Sequence, residues 1–307
     1  MSKLPLVTCI TPTYNRSRIV PEAIESNIFQ TYENWEMIVI DDQSTDDTWN
    51  VITPYERKDP RIRCFRNPNK GANNARNLGL EKAKGELIVF LDDDDVNLPH
   101  RYESQVNAIL KSGSRFILSW FEVRDRSDKF YKKVNCSRLT GAAAHFTVRW
   151  MIEKSLLQEV GGFNPKMISM QEIELSYRIA EKYTFEHHDD IVVTVYNDPT
   201  SVSKGERGIR GKIMLLDEAG HLIDKEEKAF WYYSIALNYL RINKIEESII
   251  YYDLAAEYSR YFDRYKRFFR SAANFSVKIG SGLWGSRMLS KTIRFKYTKP
   301  IEHKVIK

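Results

Sequence analysis

The feature that most constrains this chain is a rhythm in its first 120 residues. Short runs rich in β-branched and aromatic residues alternate there with stretches of helical length. The runs are Leu6–Thr11, Trp35–Asp41, Ile62–Arg66, Glu86–Leu91 and Arg115–Val123. Such alternation predicts an α/β fold, a Rossmann-like and mainly parallel sheet flanked by helices. Sheets of this kind bind ligands beyond the carboxyl ends of their strands. One rim should therefore hold Thr13 to Arg16, Asp41 to Ser44 and Asp92 to Asp95. Ser44 or Thr45 is expected to cap the helix after the second run, and Gly85 to stop the helix before the fourth.

The middle of the chain, Phe130 to Asp198, is less regular and reads as an extension of the same domain. It contains a "GGFN" turn, a helical stretch over Glu172 to Lys182 and a late strand over Ile191 to Val195. The polar, glycine-bearing segment Lys204 to Lys212 reads as a linker. Beyond it lies one helical hairpin of tetratricopeptide type, turning near Asn243, whose expected role is packing on its neighbour. The expected division is residues 1–203 and a helical extension over 204–307.

The chain has 307 residues, 42% of them hydrophobic and 29% charged, enough for one large or two modest domains with a core. Neither a membrane-spanning run nor a secretory leader is visible, so a cytoplasmic location is expected. Cys9, Cys64 and Cys136 are scattered and fit reduced thiols rather than a disulfide framework or a zinc site. From Arg260 to Lys307 there are 13 Lys and Arg against 2 acids, whereas the first 259 residues hold 34 against 39. The basic character thus belongs to the tail. That tail, with Trp284, Phe295 and Tyr297, allows peripheral contact with the anionic inner face of a membrane.

The run "GELIVFLDDDDVNLP", Gly85 to Pro99, drives a buried strand into four consecutive aspartates. Adjacent carboxylates repel by roughly 1 kcal/mol in water and by more in a dry cleft, so folding gains nothing from gathering them. Their oxygens suit Mg²⁺ or Mn²⁺, which usually take one or two carboxylates plus substrate phosphates. A solvated turn capping the next helix accounts for one or two of the four. The spacing of an EF-hand loop is missing. So are GxGxxG after the first strand and GxxxxGK[ST] anywhere, which removes the main grounds for a dinucleotide or P-loop site. On the same rim, a carboxylate at Asp42 could accept a hydrogen bond from a base while Tyr14 stacks on it.

Taken together, "VTCITPTYNR", "QTYENWEMIVIDDQSTDDT", "NKGANNARNLGLEKAKGELIVFLDDDD" and "VGGFN" followed by "QEIELSYRI" resemble the ordered signature of family-two glycosyltransferases, over about Val7 to Arg178. The resemblance implies the nucleotide-diphospho-sugar transferase fold, with the catalytic domain in residues 1–203. It also implies an inverting, metal-dependent transfer of one sugar from a nucleoside-diphosphate donor, UDP-sugar first, to a glycan or lipid-linked acceptor in cell-surface polysaccharide assembly. Carried over residue by residue, it assigns the nucleotide to Pro12, Thr13, Tyr14, Arg16 and Asp42. Asn73, Arg76 and Asn77 would face that nucleotide along a helix. The DxD element falls on Asp92 to Asp94, with Asp94 as the metal ligand and Asp92 and Asp93 on the donor side.

The family's acidic pair after the GGF turn reads Gln171 and Glu172 here. The resemblance gives the general base to Glu172, and the missing first acid puts acceptor geometry in question. The QxxRW element of polymerising members is absent, which favours single addition. Three rivals are a non-catalytic sugar-nucleotide or carbohydrate binder, a nucleotidyltransferase on a related fold, and a nucleic-acid role for the tail; no nucleic-acid partner is expected. His187 and His188 beside Asp189 and Asp190 raise a second metal site, against which stands the opposite pointing of adjacent strand residues.

Overall fold

The computed structural model describes residues 4–127, 129–134, 146–196 and 205–278. Cys136, Trp284, Phe295 and Tyr297 lie outside them. Two compact units emerge: Met1–Pro165 with Ile179–Pro199, and Lys166–Arg178 with Thr200–Lys307.

In the first unit, β1 (Val7–Thr13), β2 (Trp35–Asp41), β3 (Ile62–Arg66) and β4 (Leu87–Phe90) alternate with α1 (Val20–Ile28), α2 (Thr48–Lys58) and α3 (Ala72–Lys82). β5 (Val96–Asn97), α4 (Arg101–Ser112), β6 (Phe116–Arg124), β7 (Phe130–Val134), β8 (Trp150–Glu153) and α5 (Lys154–Glu159) follow. β9 (Glu186–Tyr196) follows α6 (Gln171–Lys182), a helix whose residues up to Arg178 belong to the second unit, and pairs with β6 and β5. The strand order is β3-β2-β1-β4-β8-β6-β9-β5, with β7 paired to β6.

β1 pairs in parallel with β2 and β4, and β2 with β3, as the alternation predicts. Past β4 the sheet becomes mixed: β8 runs antiparallel to β4 and β6, while β9 runs parallel to β6. Every residue of β2 is buried, the continuous pattern of a central strand covered on both faces. The core gathers Val7, Cys9, Met37, Val39, Val89, Ile117 and Met151.

One expected helix start moves. α2 begins at Thr48, whose N–H donates to Asp46 Oδ1 at 3.0 Å, so neither Ser44 nor Thr45 caps it. Those two side chains bind the loop after β1 instead.

The second unit contains α7 (Glu206–Ala219), α8 (Lys225–Arg241), α9 (Ile245–Tyr258) and α10 (Arg260–Lys278). The segment read as a linker is thus helical from Glu206 onward. One of its glycines serves close approach: a Cβ on Gly211 would lie 1.8 Å from Ser169 Oγ. Gly211→Ala is expected to cost about 1–3 kcal/mol by overpacking, measured as a drop in the urea midpoint at unchanged slope. The hairpin turns where expected, with Asn243 at φ +58° between α8 and α9. It packs with α10 around Tyr233, Tyr252, Phe262 and Phe269, the rings of Tyr252 and Phe269 stacked 3.9 Å apart. Asp224 caps α8 by accepting from Glu227 N–H at 2.9 Å.

Candidate active site

β1, β2 and β4 end side by side, and their loops carry the polar residues read from the sequence. The loop after β1 turns through Asn15 at φ +53°, a left-handed conformation that asparagine tolerates. It is locked to the loop after β2. Asn15 N–H donates to Ser44 Oγ at 2.9 Å, Thr45 N–H to Asn15 Oδ1 at 2.7 Å, Arg16 N–H to Thr48 Oγ1 at 2.9 Å, and Ser17 N–H to Asp46 Oδ2 at 3.2 Å.

Asp46 is exposed, and the slight desolvation of its carboxylate is outweighed by hydrogen bonds from Thr48 and Ser17, which hold its pKa at about 2. Because the folded value lies below the ordinary one, its stabilisation is complete above about pH 4 and is lost as pH falls toward 2. Asp46→Asn is therefore expected to flatten the fall in melting temperature over that acid window.

Asp42 is nearly buried. Its carboxylate accepts from Gly71 N–H at 2.8 and 3.0 Å and from Asn67 Nδ2 at 2.7 Å. The residue expected to touch a base thus also shapes the loop opposite it. Gly71 sits at φ +130°, which a side chain would resist. Tyr14 is 41% exposed, with Lys70 Nζ 4.6 Å from its ring centroid and 3.3 Å from its hydroxyl. An exposed ring beside a cation suits stacking on a planar base. Pro12 is half-buried and Thr13 buried at the end of β1.

The four aspartates have four different settings. Asp92 pairs with Arg76 Nη2 at 2.8 Å. Asp93 and Asp94 each lie 3.8 Å from the Arg16 guanidinium. Asp95 is 3% exposed and accepts Tyr196 N–H at 3.0 Å, which makes it an anchor between the loop and β9. Burial pushes Asp93 up to about 7, with Asp94 and Asp92 adding to the rise and the Thr13 hydroxyl and Arg16 opposing it. Burial and Asp92 raise Asp94 as well. Arg101, wholly buried on α4, donates to Phe90 O at 3.3 Å and so fixes the end of β4 from which the loop departs.

Repulsion therefore survives despite the neighbouring arginines, and an all-oxygen site with surplus negative charge fits a hard divalent cation. Among the described residues no three His, Cys, Asp or Glu side chains form a ready cage.

α3 carries three of the residues assigned to the nucleotide, and two of them also have a structural task. Asn73 Nδ2 donates to Asn164 O at 2.9 Å, Asn77 Nδ2 to Phe163 O at 2.8 Å, and Phe163 N–H to Asn77 Oδ1 at 2.9 Å. These amides, expected to face a nucleotide, hold the GGFN turn against α3. Arg76 differs. It is 4% exposed, its Nε and Nη1 have no hydrogen-bond partner among the described residues, and its guanidinium lies 5.6 Å from the Phe163 ring centroid.

In the second unit, Glu172 lies half-buried in the first turn of α6, with Gln171 Nε2 donating to its Oε1 at 2.9 Å. Glu174, one helical turn before Arg178, meets it through two bonds of 2.7 Å and is only 3% exposed. The apolar side of α6 carries Leu175 and Ile179, both fully buried as the helical spacing predicts.

His187 and His188 are held separately, His187 by Trp120 Nε1 at 3.0 Å and His188 by Ser104 Oγ at 2.6 Å. Sequence reasoning gave no role to Arg126, which lies against the aspartate loop; a basic residue in a strand-to-strand turn carries no signature.

A profile of glycosyl transferase family 2 matches residues 8–169. A UDP-Glc:alpha-D-GlcNAc-diphosphoundecaprenol beta-1,3-glucosyltransferase of Escherichia coli, WfgD, is 35% identical over 44% of this chain and 53% of its own length. A putative teichuronic acid biosynthesis glycosyltransferase of Bacillus subtilis, TuaG, is 36% identical over 39% of this chain and 48% of its own. The chain spans from about a fifth to about half the length of the curated relatives it matches. Among solved structures, residues 1–349 of S. aureus TarS with UDP-GlcNAc superpose with a TM-score of 0.66 at 16% identity, covering 90% of this chain and 92% of that one. This likeness shows a shared fold. With the profile covering more than half of its residues, the chain belongs to glycosyl transferase family 2.

Proposed function

We propose that the chain transfers a single sugar, with inversion, from a UDP-sugar to a glycan or lipid-linked acceptor in cell-surface polysaccharide assembly. The observation that carries this reading is a paired deficit on one rim. Arg76 is buried with two N–H-bearing nitrogens unpartnered among the described residues, and it touches a loop where burial and mutual repulsion raise Asp93 and Asp94. The first keeps two donors unused beside its pair with Asp92, and the second keeps carboxylate repulsion that Arg16 does not cancel. A metal-bound diphosphate would offer acceptors to the one and a cation to the other.

In this reading Tyr14 stacks on the base, and Pro12, Thr13 and Asp42 border it. Arg16 and Arg76 carry phosphate charge, Asp92 and Asp93 line the donor side, and Asp94 would hold Mg²⁺ or Mn²⁺. The cation would neutralise charge on the departing diphosphate. Glu172 takes the proton from the acceptor hydroxyl. The UDP-GlcNAc complex of TarS and the undecaprenol-linked substrates in the relatives' names support the donor and acceptor classes.

A panel of sugar nucleotides, assayed for nucleoside diphosphate release with and without Mn²⁺, tests the proposal. Release of UDP that needs Mn²⁺ and accelerates with a lipid-linked saccharide is expected. Binding without turnover for every donor would leave a non-catalytic binder.

No helix among the described residues is long and apolar enough to cross a membrane. α10 nevertheless exposes Arg260, Arg264, Arg267 and Phe268 at the start of the basic tail. We propose that this segment contacts anionic lipid peripherally. The protein is then expected to sediment with anionic vesicles at low salt and to be released above about 0.1 M, where screening acts within roughly 10 Å. Sedimentation unaffected by deleting residues 279–307 and reversing Arg260, Arg264 and Arg267 would refute the contact.

A further inference from the structure

Arg126 stands in the turn between β6 and β7, 32 residues from the aspartate loop, yet it holds that loop by its main chain. Its Nη2 donates to the carbonyl oxygen of Asp94 at 2.8 Å. Its Nη1 meets Glu22 Oε2 on α1 at 2.5 Å. The same guanidinium lies 4.3 Å from the ring centroid of Tyr196 at the end of β9. Tyr196 in turn gives its N–H to Asp95. One side chain thereby ties a hairpin, a helix and a sheet strand to the peptide that carries Asp94.

The chemistry of the contact matters. Arg126 takes the carbonyl of Asp94 and not its carboxylate, which faces Arg16 at 3.8 Å. Arg126 and Glu22 are 41% and 57% exposed, and a pair so exposed adds little to global stability. Its effect is local. A planar fork holds a carbonyl on one nitrogen and a carboxylate on another with its face against a ring, a spacing of donors that a compact ammonium does not reproduce.

We propose that Arg126 is a positioning residue for the cation and diphosphate. It straps the Asp94 main chain to α1 and β9, and so makes the β6–β7 hairpin a determinant of cation affinity. The inference rests on the proposed role of Asp94 as the cation ligand.

The test combines hydrogen exchange on the metal-free full chain with calorimetry of UDP binding in the presence and absence of Mn²⁺. Arg126→Ala is expected to speed exchange across Asp94 to Val96 and across the hairpin turn while the melting temperature stays close to that of the unaltered chain. It should weaken Mn²⁺-dependent UDP binding by about 10-fold or more, the usual effect of losing a residue that orients a metal ligand. Metal-independent UDP binding should not change. Glu22→Gln, which releases the far end of the strap, should shift both readouts the same way but less. Arg126→Lys should behave like Arg126→Ala. Unchanged exchange at Asp94 to Val96, or full rescue by Arg126→Lys, overturns the proposal. If the unaltered protein binds UDP equally well without Mn²⁺, the cation reading of Asp94 fails instead, and the exchange comparison still decides whether the strap exists.

Discussion

Glu172→Gln is expected to leave Mn²⁺-dependent UDP binding intact and to lower sugar transfer by about 10²- to 10⁴-fold, the usual contribution of a general base. Two acids compete for that role in the first turn of α6. They lie two residues apart and so point about 200° from one another, which lets only one of them face a given site. Glu174 is already committed: both its oxygens accept from Arg178 and it is 3% exposed. Glu172 is half-buried, with the Gln171 amide on one oxygen.

Glu174→Gln should therefore act on stability. Breaking a buried pair costs several kcal/mol, and with Arg178 about a quarter exposed the expected loss is nearer 2 kcal/mol. Transfer kinetics and urea melts on both variants separate the two roles. A folded but inactive Glu174 variant beside an active Glu172 variant would move the base by two positions. Two active variants would remove the transferase mechanism.

Asp94→Ala is expected to abolish the Mn²⁺-dependent part of UDP binding, and turnover with it, without unfolding the chain. In the metal-free protein Asp94 is a raised carboxylate beside Asp92 and Asp93, so its removal relieves repulsion. The metal-free variant should gain on the order of 1 kcal/mol. Calorimetry and a thermal melt without metal make two independent readings. Unchanged Mn²⁺-dependent affinity would take the ligand role from Asp94, and a loss of metal-free stability would deny the repulsion.

The rim was legible because its signals are local. A continuous apolar strand, a turn and a cluster of polar residues follow one another within a few positions at β1, β2 and β4. The contacts that were not legible share a different cause, partners far away in sequence. Asn73 and Asn77 lie one helical turn apart, a spacing that fits a nucleotide-facing row and a row holding a turn equally well. Asn77 bonds Phe163 across 86 residues, and nothing near Asn77 announces it.

Ser44 and Thr45 looked like helix caps because hydroxyl residues before a helix usually are. Here they bind Asn15, about thirty residues back. Gly208 and Gly211 suggested a linker because glycine has two uses, freedom and lack of bulk, and composition does not distinguish them. Burial does, and both are buried on α7.

The strand order carries a consequence for how this chain behaves among its own copies. A sheet that ends in a long, flat, apolar edge offers a template on which another molecule can add a strand. At one end here stands β3, five residues carrying Arg63 and Arg66, with Arg63 turned to Glu36 and Arg66 lying 4.6 Å from the Trp49 ring. At the other end β5 is two residues long. The strand paired outside this path, β7, carries Lys132 and Lys133. Each of these edges is thus either too short or too charged for easy strand addition, which allows a nine-stranded sheet to remain open without becoming a seed for aggregation.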